Sequence, residues 1–323
     1  MDNSTVLVLS NPNEPQLAML EELPAETSIA VGNSPEAFRR AAPEADVIFS
    51  WSIAGALLRE AFLMSPSVKW VHSRSAGLDG VLFPELAQSE AVLTNGSGVF
   101  SDSLGEFVLA AILYFAKDLR RMIRGQQGGV WDPFDITEVA GQTVGIVGYG
   151  DIGRAIARRV RPMGMRVLAL KRHGPPLYSA DPLVERIYGP DGRLEMISQC
   201  DYVVSAAPLT PETRGLIGAE EIAAMKPTAV VINVGRGPVI DETALVAALS
   251  GKHIKGAALD VFDQEPLAEG HAFYRLENVL LSPHCADHTP DWLDQAMNFF
   301  IQQYRAYHNG QTLRNIVDKK LGY

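Results

Sequence analysis

Short apolar runs alternate with helix-like stretches twice along this chain of 323 residues, once before residue 100 and again after Gly141. Residues 5–10, 27–31, 46–51, 69–74 and 91–94 make up the first series, separated by helix-like stretches such as 35–42 and 54–62. The second series has six runs, at 143–147, 166–171, 202–206, 229–234, 256–259 and 279–281, with a helix over 152–162 after the first of them. An apolar run bounded by helices reads as a strand covered on both faces, as in a parallel sheet. Two such series predict an α/β chain with two doubly wound parallel-sheet domains. The length agrees: it is long for one hydrophobic core and comfortable for two.

Between the series, residues 101–124 read as one long helix with Ser101, Asp102 or Ser103 as its N-cap. Its apolar positions, among them Leu104, Phe107, Val108, Ala111, Ile112 and Phe115, cover more than one face, so burial on several sides is expected. A tail over 289–310 repeats the helical spacing with Trp292, Ala296, Phe299, Phe300 and Tyr304.

Hydrophobic residues at 47% and charged residues at 20% are those of an ordinary soluble protein. Cys200 and Cys285 are too few for a disulfide framework, which suits a reducing compartment. The N-terminus lacks the basic segment of a secretory signal, and no apolar stretch approaches the roughly 20 residues that span a bilayer. A cytoplasmic protein with no membrane partner is expected. The formal charge of −10 disfavours nucleic acid. Yet Arg154, Arg158, Arg159, Arg161, Arg166, Lys171 and Arg172 follow one another with no acid among them. That run is either a solvated helix face or a local attraction for phosphate.

Gly148-Tyr149-Gly150-Asp151-Ile152-Gly153 follows one apolar run and opens a helix, the context in which a glycine-rich turn holds a dinucleotide. Glycines allow the backbone to approach a pyrophosphate, and the helix start supplies unpaired N–H groups. The second strand of such a fold normally ends in an acid that bonds the adenosine ribose. Here Leu170-Lys171-Arg172-His173 carries none. Arg172 would grip a 2′-phosphate with a planar fork, so NADP(H) is expected over NAD(H), with NAD(H) possible. The alternative has Arg172 pointing to solvent.

Three further stretches place a potent side chain just beyond an apolar run: Arg236 in Asn233-Val234-Gly235-Arg236-Gly237, Glu265 in Asp260-Val261-Phe262-Asp263-Gln264-Glu265-Pro266, and His284 in Ser282-Pro283-His284. Ligands of open α/β sheets lie beyond the carboxyl ends of the strands. An arginine to hold a carboxylate, and a histidine backed by a glutamate to move a proton, are what a 2-keto acid requires. A structural salt bridge is the plainer reading of Arg236, and a lone histidine after a strand is more often structural. His72, His253, His271 and His308 have no comparable context.

In order and over nearly the whole length, these motifs resemble the D-isomer-specific 2-hydroxyacid dehydrogenase family, in its glyoxylate/hydroxypyruvate reductase-like branch. The resemblance implies a flavodoxin-like substrate domain, residues 1–100 plus 287–323, into which a Rossmann cofactor domain, residues 101–286, is inserted. It implies that Arg236 holds the substrate carboxylate, that Glu265 and His284 act as the proton-transfer pair, and that Asp260 bonds the nicotinamide carboxamide. It places Ser75, Ala76 and Gly77 on the substrate, with Trp51 either walling the pocket or belonging to the core. Cofactor contacts fall on Gly148, Tyr149, Gly150, Asp151, Ile152, Lys171, Arg172, His173, Ala207, Pro208, Val234, Gly235 and Ala286, besides Arg236, Asp260 and His284. A small 2-keto or 2-hydroxy acid is the implied partner, a homodimer the implied assembly with Trp131 reaching toward the neighbouring subunit, and no metal is implied.

Two departures from the family pattern bear on the substrate. Cys285-Ala286-Asp287-His288 stands where glycine is common, and Arg74 precedes Ser75. Two other functions fit the same fold: a nucleotide-sensing, corepressor-like binding protein, and a formate- or phosphite-type dehydrogenase.

Overall fold

The computed structural model describes residues 4–172 and 181–322. The chain divides into two compact units, one made of Met1–Val99 and Thr289–Tyr323, the other of Phe100–His288.

In the first unit, β1 (Thr5–Leu9), β2 (Ser28–Gly32), β3 (Ala45–Ser50), β4 (Trp70–Ser73) and β5 (Val92–Thr94) form a sheet ordered β2-β1-β3-β4-β5. Every pairing is parallel. This is the flavodoxin-like order, with its switch point between β1 and β3. The sheet is buried because its apolar side chains meet helices: the ring of Phe300, on the helix Trp292–His308, stacks on Phe49 at 3.8 Å and on Trp70 at 5.6 Å. Such pairs contribute about 0.5–1.5 kcal/mol beyond area burial. His72 lies inside this cluster, 1% exposed, with Nδ1 2.7 Å from the Thr94 hydroxyl. Burial pushes its pKa down to about 3, so the ring stays neutral.

The second unit contains β6 (Thr143–Val147), β7 (Arg166–Leu170), β8 (Arg186–Tyr188), β9 (Tyr202–Ser205), β10 (Val230–Asn233), β11 (Gly256–Leu259) and β12 (Val279–Leu281). They lie in the order β12-β11-β10-β9-β6-β7-β8, all parallel. The chain reverses direction across the sheet between β6 and β9, the switch point at which dinucleotides bind in this architecture. Two apolar clusters, one on each face, bury the sheet.

The structure corrects the sequence reading in two places. The sheet has seven strands rather than six: β8 is a short edge strand whose Arg186 is exposed, so no apolar run announces it. The single helix expected over 101–124 is two, Ser101–Ala116 and Leu119–Gly128. Asp118 breaks it by adopting a left-handed backbone, φ 48°, from which its carboxylate caps Arg121 N. Aspartate tolerates that conformation because its short polar side chain bonds locally. The first helix is buried along much of its length, whereas the second buries no residue, contrary to expectation. The N-cap is Phe100, with no side-chain bond, rather than a serine or aspartate.

Candidate active site

The turn after β6 has the shape a pyrophosphate needs. Gly148 has φ 94°, and a Cβ there would lie 2.6 Å from the Ala207 backbone, so only glycine fits. A Cβ on Gly153 would meet the Gly148 carbonyl at 2.7 Å, which lets the helix Asp151–Val160 start close to the strand. Gly150 is different. A Cβ there would meet nothing within 4 Å, so its backbone borders open space at the helix start. A turn built this way fits a dinucleotide phosphate, with glycine at the tight positions and open space at the helix N-terminus. Asp151 is exposed and Ile152 half-buried at this start, while Tyr149 turns inward and donates to Asp181 at 3.0 Å. Burial, with the Asp181 bond, raises the Tyr149 phenol well above its ordinary range.

Beyond β7, Lys171 is exposed and Arg172 partly buried. The Arg172 guanidinium donates to Glu212 at 2.8 Å and to the Thr210 hydroxyl at 3.2 Å. His173 lies outside the described residues. Beyond β9, Ala207 is buried and Pro208 exposed, its carbonyl accepting from the Thr213 hydroxyl at 2.6 Å. Val234 is buried beyond β10, and Gly235 packs so tightly that a Cβ would lie 2.7 Å from the Ala207 carbonyl.

Arg236 is held by its backbone. The buried Asn233 side chain accepts from Gly235 N at 3.2 Å and donates to the Arg236 carbonyl at 3.1 Å, fixing the turn on both sides. The guanidinium Nη1 donates to the Gly235 carbonyl at 2.9 Å. Gly237 ties this turn to the one beyond β11, because a Cβ on it would overlap the Phe262 carbonyl. Phe262 N in turn donates to Glu265 Oε1 at 2.9 Å. The other carboxylate oxygen, Oε2, lies 2.5 Å from His284 Nδ1. Arg236, Glu265 and His284 are therefore linked through Gly237 and Phe262. Glutamate and histidine touch directly.

His284 stands on a left-handed backbone, φ 53°, a conformation costing of order 1–3 kcal/mol that surrounding bonds must hold. Asp260 supplies those bonds. It is 1% exposed, and its Oδ1 accepts from the Ser282 hydroxyl at 2.6 Å, Cys285 N at 2.9 Å and Ala286 N at 3.1 Å. The Ala286 carbonyl accepts from Ser103 at 2.7 Å. Sequence reading did not anticipate this bracing by Asp260, nor the roles of Asn233 and Phe262. Its only signal was polar residues closing apolar runs. Asp287 follows the brace, and burial raises its carboxyl above the usual range.

In the first unit, the loop after β4 is joined to the loop after β5. Asn95 Nδ2 donates to the Ala76 carbonyl at 2.7 Å, Gly96 N to the Ser75 carbonyl at 3.3 Å, and a Cβ on Gly96 would overlap the Arg74 carbonyl. The carbonyls are thus used, whereas the N–H groups of Ala76 and Gly77 donate to no protein acceptor among the described residues. Trp51 is 2% exposed and packs edge-on against Phe49 at 5.6 Å, a core position. The Arg74 guanidinium sits between the Trp51 and Trp292 rings, 4.9 and 5.1 Å from their centroids.

Residues 109–286 match the family model for the D-isomer specific 2-hydroxyacid dehydrogenase NAD binding domain. A glyoxylate reductase of Thermococcus gammatolerans is 33% identical over 274 residues, spanning 81% of this chain and 80% of that protein. The chain belongs to the D-isomer specific 2-hydroxyacid dehydrogenase family. Solved members of similar fold include one from Xanthobacter autotrophicus in complex with NADPH and MES, 28% identical, TM-score 0.81, with both chains fully covered. Another is an NADPH-dependent glyoxylate/hydroxypyruvate reductase of Sinorhizobium meliloti in complex with NADP and sulfate, 26% identical, TM-score 0.83, covering 99% of this chain and 100% of that one. This dehydrogenase is thus a nicotinamide-dependent oxidoreductase acting on CH–OH groups. Among its described residues no helix is long and apolar enough to cross a membrane.

Proposed function

We propose that this family member is an NADP-preferring D-2-hydroxyacid dehydrogenase that works chiefly as a reductase of small 2-keto acids in the cytoplasm. The observation that carries the reading is the Glu265–His284 contact, with the second glutamate oxygen pinned by Phe262 N. Dinucleotide binding is assigned to the unit Phe100–His288, with contacts from the turn 148–152, Lys171, Arg172, His173, Ala207, Pro208, Val234, Gly235, Asp260 and Ala286. Substrate binding is assigned to the unit holding Ser75, Ala76 and Gly77, whose open amides suit a carboxylate. The core position of Trp51 gives it a supporting place beneath Arg74 rather than a surface on the substrate.

Bound nicotinamide supplies the hydride for the C2 carbonyl. The protein's own work is to orient the substrate and deliver the proton. Arg236 holds the carboxylate in a planar fork, which fixes the carbonyl in a reactive pose. His284 directs Nδ1 to Glu265, so Nε2 is the nitrogen left to give its proton to the carbonyl oxygen. Glu265 stabilises the ring while it is charged. A homodimer belongs to the same reading, supported by the exposed apolar side chains Met122, Ile123, Val130 and Trp131, the last 95% exposed.

The test is NADPH oxidation with a panel of 2-keto acids including glyoxylate, hydroxypyruvate and pyruvate. Turnover of formate or phosphite alone, or tight cofactor binding without any turnover, would overturn the reading. Glu265→Gln should lower kcat for keto acid reduction, because the ring loses the carboxylate that orients it. Parental kinetics in that variant would separate Glu265 from His284. Replacing Lys171 with Asp and Arg172 with Ala should remove the NADPH preference, since charge-assisted bonds contribute roughly 1.5–3 kcal/mol, or about one to two decades. The change should fall on the KM for cofactor, as paired NADH and NADPH kinetics would reveal.

A further inference from the structure

The sequence lacks an acid at the end of the second strand of the dinucleotide fold, but the structure brings one there from elsewhere. Glu212 lies in the segment that follows β9. Its Oε2 accepts from Arg172 Nη2 at 2.8 Å and from the Thr210 hydroxyl at 2.9 Å. That segment is itself fixed: Thr210 N donates to the Thr213 hydroxyl at 2.7 Å, and the Thr213 hydroxyl donates to the Pro208 carbonyl at 2.6 Å. Strands β7 and β9 flank β6 on either side, so Arg172 and Glu212 meet across the carboxyl end of β6. That is where the adenosine end of a dinucleotide lies in such a sheet. The Arg172 side chain is 26% exposed and the Glu212 side chain 66% exposed, so the carboxylate faces water while its partner is held.

We propose that Glu212 is a specificity-determining carboxylate, which weakens the hold of this site on a 2′-phosphate and keeps a cofactor without that phosphate usable. The inference rests on the assignment of Arg172 to the 2′-phosphate. An incoming phosphate and Glu212 compete for the same guanidinium edge, and the two anions repel when both are near it. A ribose bearing only hydroxyls meets no such competition. It leaves the Arg172–Glu212 bond in place and finds a carboxylate able to accept from a hydroxyl, as the acid at the strand end does in NAD enzymes. The hydrogen bond from Thr210, with the Arg172 guanidinium adding to it, holds the Glu212 carboxyl below its usual range, so the carboxylate is charged at neutral pH.

The experiment is calorimetric binding of two fragments, 2′,5′-ADP and 5′-AMP, to the full chain as wild type, Glu212→Gln and Arg172→Ala. Neither fragment carries nicotinamide, so the readout is independent of turnover. Glu212→Gln should tighten 2′,5′-ADP about tenfold, the effect of removing one like charge a few ångströms from a phosphate in a solvated site. It should leave 5′-AMP unchanged or weaker. Kd values for intact NADPH and NADH should shift in the same directions. Weaker 2′,5′-ADP binding in Glu212→Gln would mean that the carboxylate only positions Arg172, and equal affinities would mean that it does neither; both results overturn the proposal. If Arg172→Ala leaves 2′,5′-ADP binding intact, the assignment of Arg172 fails and this inference fails with it.

Discussion

Replacing His284 with alanine is expected to lower kcat/KM for 2-keto acid reduction by about 10²–10⁴-fold, the usual cost of losing a positioned general acid. The size follows from how the ring is held. Nδ1 is committed to Glu265 at 2.5 Å, and the backbone beneath it is fixed by three bonds to one oxygen of Asp260. The side chain is 43% exposed, so little packing is lost and the melting temperature should hold. His284→Asn is the matched control, because asparagine accepts the positive φ at this position yet carries no titrating ring. Both variants should fold as the parent does. Near-parental kcat/KM in a correctly folded alanine variant would take proton delivery away from His284.

Arg236→Lys should be almost as damaging as Arg236→Ala, with a loss of about 10²-fold or more in kcat/KM, because misplacing a substrate by about 1 Å costs that much. An ammonium keeps the charge but cannot offer two parallel donors from a planar group. In this protein it would also lose the contact that turns the guanidinium onto the Gly235 carbonyl. The turn itself should survive, since Asn233 and the Gly237–Phe262 packing hold the backbone without the side chain. Both KM and kcat should suffer, since a poorly held carboxylate lets the carbonyl leave its reactive pose. A lysine variant with parental kinetics would return Arg236 to the role of a structural cation.

Much of the architecture was legible because largely apolar strands leave a plain signal: β6, β9, β10 and β11 are runs in which every residue is buried. Strand β8 gave no such signal, since a three-residue edge strand needs little apolar surface. The break at Asp118 was hidden for a different reason. Helical periodicity continues on both sides of it, and only the backbone φ reveals the turn. Glu265 and His284 stood out because their motifs carry distinctive residues, 19 positions apart in the chain and in contact in space. The missing acid after β7 was read correctly as an absence along the chain. That absence did not extend to space, because Glu212 comes from 40 residues farther on.

The first unit closes only when its second piece arrives. Phe300 covers Phe49 and Trp70, Val317 N donates to the Leu93 carbonyl at the outer side of β5, and Lys319 donates to the Ala91 carbonyl at 2.8 Å. All three residues follow Phe100–His288, which makes up the whole of the other unit. On a ribosome adding 5–20 residues per second, the first sheet waits roughly 10–40 s for its cover while the inserted unit has all it needs to fold. The unit encoded first is therefore the last to be completed. Through that interval, the aromatic face over β3 and β4 and the open edge of β5 belong to a nascent chain, where exposed apolar surface and an unpaired strand edge are prone to aggregate.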